Sequence, residues 1–137
     1  MQRTSNEAQA AQQPLRVLVV DDEKFVRTAL ERLLAPFEVT FAQSAAGALG
    51  RLQVSRDFDA ILCDINMPGM NGMQFYEEVS KVSRPLAGRI IFITGGVFSP
   101  EIADFLERTH NACLAKPFER ETLKTAVKAA AHGPKAP

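Results

Sequence analysis

Four places in the chain set a reactive polar side chain directly after a run of apolar residues. Asp21-Asp22 follow residues 15–20, Asp64 follows 58–63, Thr94 follows 89–93 and Lys116 follows 112–115. A short apolar run bounded by turn residues reads as a buried strand. Each polar group would then stand at a strand's carboxyl end, where open α/β sheets place their ligand crevices. Three carboxylates about 4 Å apart repel by on the order of 4 kcal/mol per pair at an effective dielectric near 20. Either one of them takes a proton or a hard cation sits among them. Mg²⁺ (or Mn²⁺) suits a set of oxygen ligands. A phosphoryl group there would have the metal and Lys116 to neutralise it and Thr94 to hydrogen-bond it. Asp64 would be the in-line nucleophile, and the product an aspartyl phosphate.

Taken singly, each residue has a plainer reading. Asp21-Asp22 could cap a helix. Asp64 could make an Asx-turn before Met67-Pro68-Gly69, and Thr94 before Gly95-Gly96 could be turn chemistry. Lys116 could be a solvated strand end. Their joint occurrence at four strand ends is what those readings leave unexplained.

The elements between them alternate. Phe25, Val26, Ala29, Leu30, Leu33 and Leu34 have helical spacing, closed by Pro36. Residues 37–42 alternate as a second strand. Ser44 can cap a helix through Val54, which Gly47 and Gly50 each weaken by about 1 kcal/mol relative to Ala. Met73, Tyr76, Val79 and Val82 mark a third helix, stopped by Pro85. Ser99-Pro100-Glu101 combines a capping hydroxyl, a first-turn proline and an acid favoured by the helix dipole. Ile102, Phe105 and Leu106 give that helix its buried face, and Leu123, Ala126, Val127 and Ala130 line a last one. Uninterrupted alternation of strand and helix predicts a parallel sheet covered on both faces. The expected fold is α/β, a single flavodoxin-like (βα)5 doubly wound sheet of strand order 2-1-3-4-5.

The 137 residues suit one domain, and 46% hydrophobic with 23% charged residues is ordinary for a globular chain. A net charge of zero gives no global basic field for nucleic acid or anionic lipid. Cys63 and Cys113 read as small buried hydrophobes in a reducing compartment, and with His110 and His132 they form no metal cluster. No segment is long enough to span a bilayer, so a soluble cytoplasmic protein is expected, as a monomer or weak dimer. Residues 1–14 read as a flexible N-terminal tail, 15–131 as the domain and 132–137 as a C-terminal tail.

Val19-Val20-Asp21-Asp22-Glu23, Asp64-Ile65-Asn66-Met67-Pro68-Gly69, Ile93-Thr94-Gly95-Gly96 and Lys116-Pro117-Phe118, in this order, resemble the receiver domain of two-component response regulators, the CheY-like family. The resemblance implies that Asp64 is the phosphoacceptor, with a sensor histidine kinase or phosphotransfer protein as donor and a downstream protein as listener. It implies Asp22 and Asp64 as direct Mg²⁺ ligands, the Asn66 backbone carbonyl as a third, and Asp21 acting through water. Thr94 and Lys116 would contact the phosphoryl group, and the Lys116–Pro117 bond would be cis. Gly95 fits the family's preference for a small residue after the threonine.

The chain departs from the family at Cys113, where an aromatic residue usually moves together with the threonine. The Gly95-Gly96-Val97-Phe98 loop is the candidate substitute, because two glycines make it compliant; Phe98 could equally pack on the next helix. The stretch from Thr94 to Phe118 also resembles receivers attached to hybrid histidine kinases. An aspartate-nucleophile phosphohydrolase of the haloacid dehalogenase type would want an acid two residues after the nucleophile, where this chain has Asn66. A relic domain that binds partners without phosphorylation is disfavoured by the intact set of five residues.

Overall fold

The computed structural model describes residues 13–95 and 98–132. Five strands and six helices follow one another as β1 (Arg16–Val20), α1 (Lys24–Leu33), β2 (Glu38–Ala42), α2 (Ala45–Val54), β3 (Ala60–Asp64), α3 (Gly72–Val82), α4 (Arg84–Ala87), β4 (Ile90–Thr94), α5 (Pro100–Thr109), β5 (Cys113–Ala115) and α6 (Arg120–Ala131). All strand pairings are parallel, in the order β2-β1-β3-β4-β5. The chain therefore forms the doubly wound flavodoxin-like sheet that its alternation predicts. The two tails read from the sequence lie almost wholly outside the described residues.

Because successive strand side chains point to opposite faces, β1 serves two cores. Leu18 and Val20 join Ile61, Phe75, Phe92, Ile102 and Phe105 on the face covered by α2, α3 and α5. Val17 and Val19 join Leu30, Leu62, Ile91, Leu123 and Val127 under α1 and α6. Every residue of β3 is buried, as expected of a central strand with helices on both sides. The register sets Val20 opposite Cys63, Asp64 opposite Ile93 and Thr94 opposite Ala115. The residues that follow β1, β3, β4 and β5 consequently emerge within a residue or two of the same level.

Ser44 caps α2 as expected, accepting from the Gly47 N–H at 3.0 Å. At α3, Asn71 accepts from the Gln74 N–H while the Gln74 side chain accepts from the Asn71 N–H, both at 2.9 Å. This reciprocal box satisfies two otherwise orphaned donors at the helix start. Replacing Asn71 by Ala should lower stability by about 1 kcal/mol, readable as a shift in the urea midpoint with an unchanged slope.

Pro85 does more than stop α3. That helix ends at Val82, and Ser83 then caps the one-turn α4, which carries Pro85 in its first turn. At the rim where β4 and β5 begin, the Asn111 side-chain amide donates to the carbonyls of Ala87 and Ile90 at 2.9 and 2.8 Å.

Candidate functional site

Asp21, Asp22 and Asp64 come together at the carboxyl rim of the sheet, each offering an oxygen within 4.8 Å of the others. Asp21 is wholly buried, Asp64 nearly so, and Asp22 is exposed. Asp21 does not cap α1. Its Oδ1 accepts from the Glu23 N–H at 2.8 Å, and Glu23, the helix's first flanking residue, makes no side-chain cap. Asp64 Oδ1 does make the local turn, accepting from the Asn66 N–H at 2.9 Å. That leaves Oδ2 of each carboxylate turned towards Lys116, whose Nζ lies 3.4 Å from Asp64 and 3.7 Å from Asp21.

Glu23 is the residue that strand-end reasoning passed over: its Oε1 lies 3.6 Å from Lys116 Nζ. The available signal was its position directly after Asp21-Asp22. Burial pulls the Lys116 ammonium towards neutrality, but Asp64, Asp21 and Glu23 together outweigh it and hold the group charged above its ordinary range. For Asp21, burial is the largest influence and raises its pKa; the Glu23 N–H and Lys116 oppose this, while Asp64 and Asp22 add to it.

A carboxyl whose pKa is higher folded than unfolded is a burden once ionised, and the burden is relieved as the pH falls through the folded value. Metal-free Asp21→Asn should therefore be more stable than the wild type at neutral pH. The gap should close on acidification through the raised pKa of Asp21, and saturating Mg²⁺ should reverse its sign. Thermal unfolding in chelator and in Mg²⁺ across that range measures both effects.

Oxygen donors alone, two of the three carboxylates buried, suit a hard cation. Asp21 Oδ2 has no hydrogen-bond partner despite its burial; Lys116 at 3.7 Å is too far to hydrogen-bond it and brings a single charge to three carboxylates, so a further cation would relieve it. The donor set thus fits Mg²⁺. The N–H of the exposed Asn66 on Asp64 Oδ1 keeps the loop residue beside that carboxylate.

Thr94 ends β4, and its Oγ1 is also buried without a partner. The Lys116 N–H donates to the Thr94 carbonyl at 2.8 Å, which locks the ends of β4 and β5 together. Gly95 has a direct steric reason to be small, since a Cβ there would lie 2.9 Å from Lys116 Cδ. The Lys116–Pro117 bond is cis, as is Ala35–Pro36.

Cys113 is half-buried, not fully enclosed, and burial raises its thiol pKa. It lines a cavity of about 430 Å³ with Thr94, Gly95, Phe98 and Lys116. Phe98 is 56% exposed and does not pack into a core. Gly96 lies outside the described residues.

A five-stranded 2-1-3-4-5 sheet with an acid cluster and a lysine at its carboxyl rim defines a class, and the sequence comparisons agree. The chain belongs to the response regulator receiver domain family, whose model matches residues 17–128. It is 34% identical over 125 residues to the nitrate/nitrite response regulator protein NarL of Escherichia coli K12, covering 89% of this chain and 57% of NarL. Histidine kinase 2 of Arabidopsis thaliana is 31% identical over an alignment that covers 82% of this chain and 11% of the kinase. The solved structure of chemotaxis protein CheY4 of Vibrio cholerae superposes with a TM-score of 0.73 at 31% identity, covering 85% of this chain and 98% of that one. The chain thus spans just over half of NarL and a small part of the kinase.

The protein is a receiver domain of two-component signalling. Receiver domains bind Mg²⁺ at an acidic pocket and interact with histidine kinases or phosphotransfer proteins. Among the described residues, no helix is long and apolar enough to cross a membrane.

Proposed function

We propose that Asp64 accepts a phosphoryl group from a phosphohistidine on a sensor kinase or phosphotransfer protein, and that the phosphorylated site changes how the domain meets a downstream protein. The observation that carries this reading is Lys116 Nζ, 3.4 Å from Asp64 Oδ2 inside a cluster of three carboxylates. An Asp64 oxygen attacks phosphorus in line, the P–N bond breaks, and the histidine leaves as the neutral imidazole once a proton reaches its nitrogen. Asp21, Asp22, Asp64 and the Asn66 carbonyl would hold Mg²⁺, which when bound offsets charge on the phosphoryl oxygens. Lys116 neutralises a further oxygen, and the unpartnered Thr94 hydroxyl is available to donate to another.

In this reading the domain catalyses only its own phosphorylation and slow loss of the group, in the cytoplasm where kinase domains supply phosphohistidine. Asn66 at the general-acid position supports acceptor chemistry over rapid turnover. Switching a population from 1:99 to 99:1 takes about 5.5 kcal/mol of differential stabilisation. With Cys113 in place of an aromatic, we assign that movement to Thr94, Gly95 and Phe98; Gly96 and Val97 between them lie outside the described residues. The exposed Phe98 ring beside the Cys113 cavity supports the assignment. The similarity to histidine kinase 2 favours a second setting, a receiver carried within a longer kinase.

The test incubates the protein with a phosphohistidine donor and Mg²⁺ and follows protein mass. One added phosphoryl group, lost in chelator-free buffer far more slowly than it is gained, is expected. No label, or multiple-turnover hydrolysis of small phosphoesters, would overturn the reading.

A further inference from the structure

Helices α3 and α5 run side by side in the same direction, and the groove between them has charge sorted along its length. Its upper part, about 380 Å³, is lined by Glu77, Glu101 and Asp104. Its lower part, about 490 Å³, is lined by Lys81, Arg84 and Arg108. Glu77 and Arg108 line both parts, so the groove is continuous. Helix dipoles favour acids in first turns and bases in last turns, as with Glu101 at the start of α5 and Lys81 and Arg108 at the ends of α3 and α5. Two parallel helices bring those separate preferences into register as a groove with a negative and a positive end.

These charges are largely unanswered among the described residues. Lys81 pairs with Glu78 at 2.9 Å. Among the described residues, Glu77, Glu101, Asp104, Arg84 and Arg108 have no opposite charge within 4.0 Å, and all five are exposed. Beneath the charges two aromatic rings meet: the ring of Tyr76 packs edge-on against Phe105 at 5.3 Å, with the Arg108 guanidinium over Phe105.

A groove negative at one end and positive at the other is complementary to itself when turned end for end. A two-fold axis across its middle sets Glu101 and Asp104 of one copy against Arg84 and Arg108 of the other, twice over, which is the geometry of an isologous interface. We propose that this groove is a docking surface for a second copy of the same chain, laid antiparallel. The proposal does not depend on phosphorylation of Asp64.

Sedimentation equilibrium at low and high salt tests it. The wild type and Asp64→Asn should both dimerise at low salt, with dissociation as screening rises. Arg84→Glu/Arg108→Glu and Glu101→Lys/Asp104→Lys should each be monomeric, because like charges then meet at both ends. Mixed in equal amounts, the two variants should recover a heterodimer, since the four substituted and retained charges at Arg84, Glu101, Asp104 and Arg108 are then all acidic in one copy and all basic in the other. The milder Arg84→Gln and Glu101→Gln should each weaken association about tenfold, which keeps the test usable if a charge reversal unfolds the domain. A wild type that stays monomeric at millimolar concentration and low salt overturns the proposal. So does a dimer indifferent to every one of these changes.

Discussion

Asp64→Asn should take no phosphoryl group from acetyl phosphate or from a phosphohistidine donor while remaining folded. An amide oxygen is a poor nucleophile and carries no charge for Lys116 to steer, so labelling should fall by at least about a thousandfold. The fold should survive for two local reasons. The Asn side-chain oxygen can still accept from the Asn66 N–H as Asp64 Oδ1 does. The substitution also removes one of three mutually repelling carboxylates. The same change should weaken the stabilisation conferred by Mg²⁺, because a ligand has been lost; thermal unfolding with and without the ion reads this. Equal labelling of variant and wild type would move the chemistry to another residue.

Gly72→Ala should damage both stability and phosphorylation, although it lies eight residues from the acceptor. A Cβ at Gly72 would lie 2.8 Å from Ile65 Cα and 3.0 Å from the Asp64 carbonyl oxygen. Both are backbone atoms of the strand end that carries the acceptor, so neither can swing aside as a side chain would. Overpacking of this kind costs about 1–3 kcal/mol, equivalent to a fall of roughly 4–12 °C in Tm for a domain of this size. Misplacement of a reacting group by about 1 Å is worth on the order of a hundredfold in rate, so initial labelling should slow as well. Gly69 is a useful contrast. It needs glycine for its positive φ of 75°, with open space where a Cβ would go. If Gly72→Ala unfolds and labels like the wild type, the close approach to Ile65 is softer than its geometry indicates.

The strand ends were readable because each apolar run stops at a polar residue, and a parallel sheet sends all such stops to one rim. That logic brings Asp21, Asp22 and Asp64 to within 4.8 Å of one another and Lys116 to within 3.7 Å of the two buried ones. It also has a blind spot. Glu23 reaches Lys116 from just beyond the strand end, and no pattern in the chain says which way a third acid turns. Helix α4 escaped because four residues carry no period, and its proline resembles a stop signal as much as a start. The Asn71–Gln74 box was present in the sequence but lay inside a Pro/Gly-rich loop whose turn residues dominated its reading. Cys113 was expected to be enclosed; the short β5, with both neighbours of Cys113 less than fully buried, leaves it half open.

The Asn111 amide joins the end of α4 to the start of β4 at the rim away from the carboxylates. One planar group there holds two backbone carbonyls with both of its hydrogens, whereas the opposite rim leaves Asp21 Oδ2 and Thr94 Oγ1 without hydrogen-bond partners. The molecule thus has a sealed end and a hungry end. Resistance to unfolding can be adjusted at the first without disturbing the chemistry of the second, and a fusion partner or surface tether belongs on the sealed side.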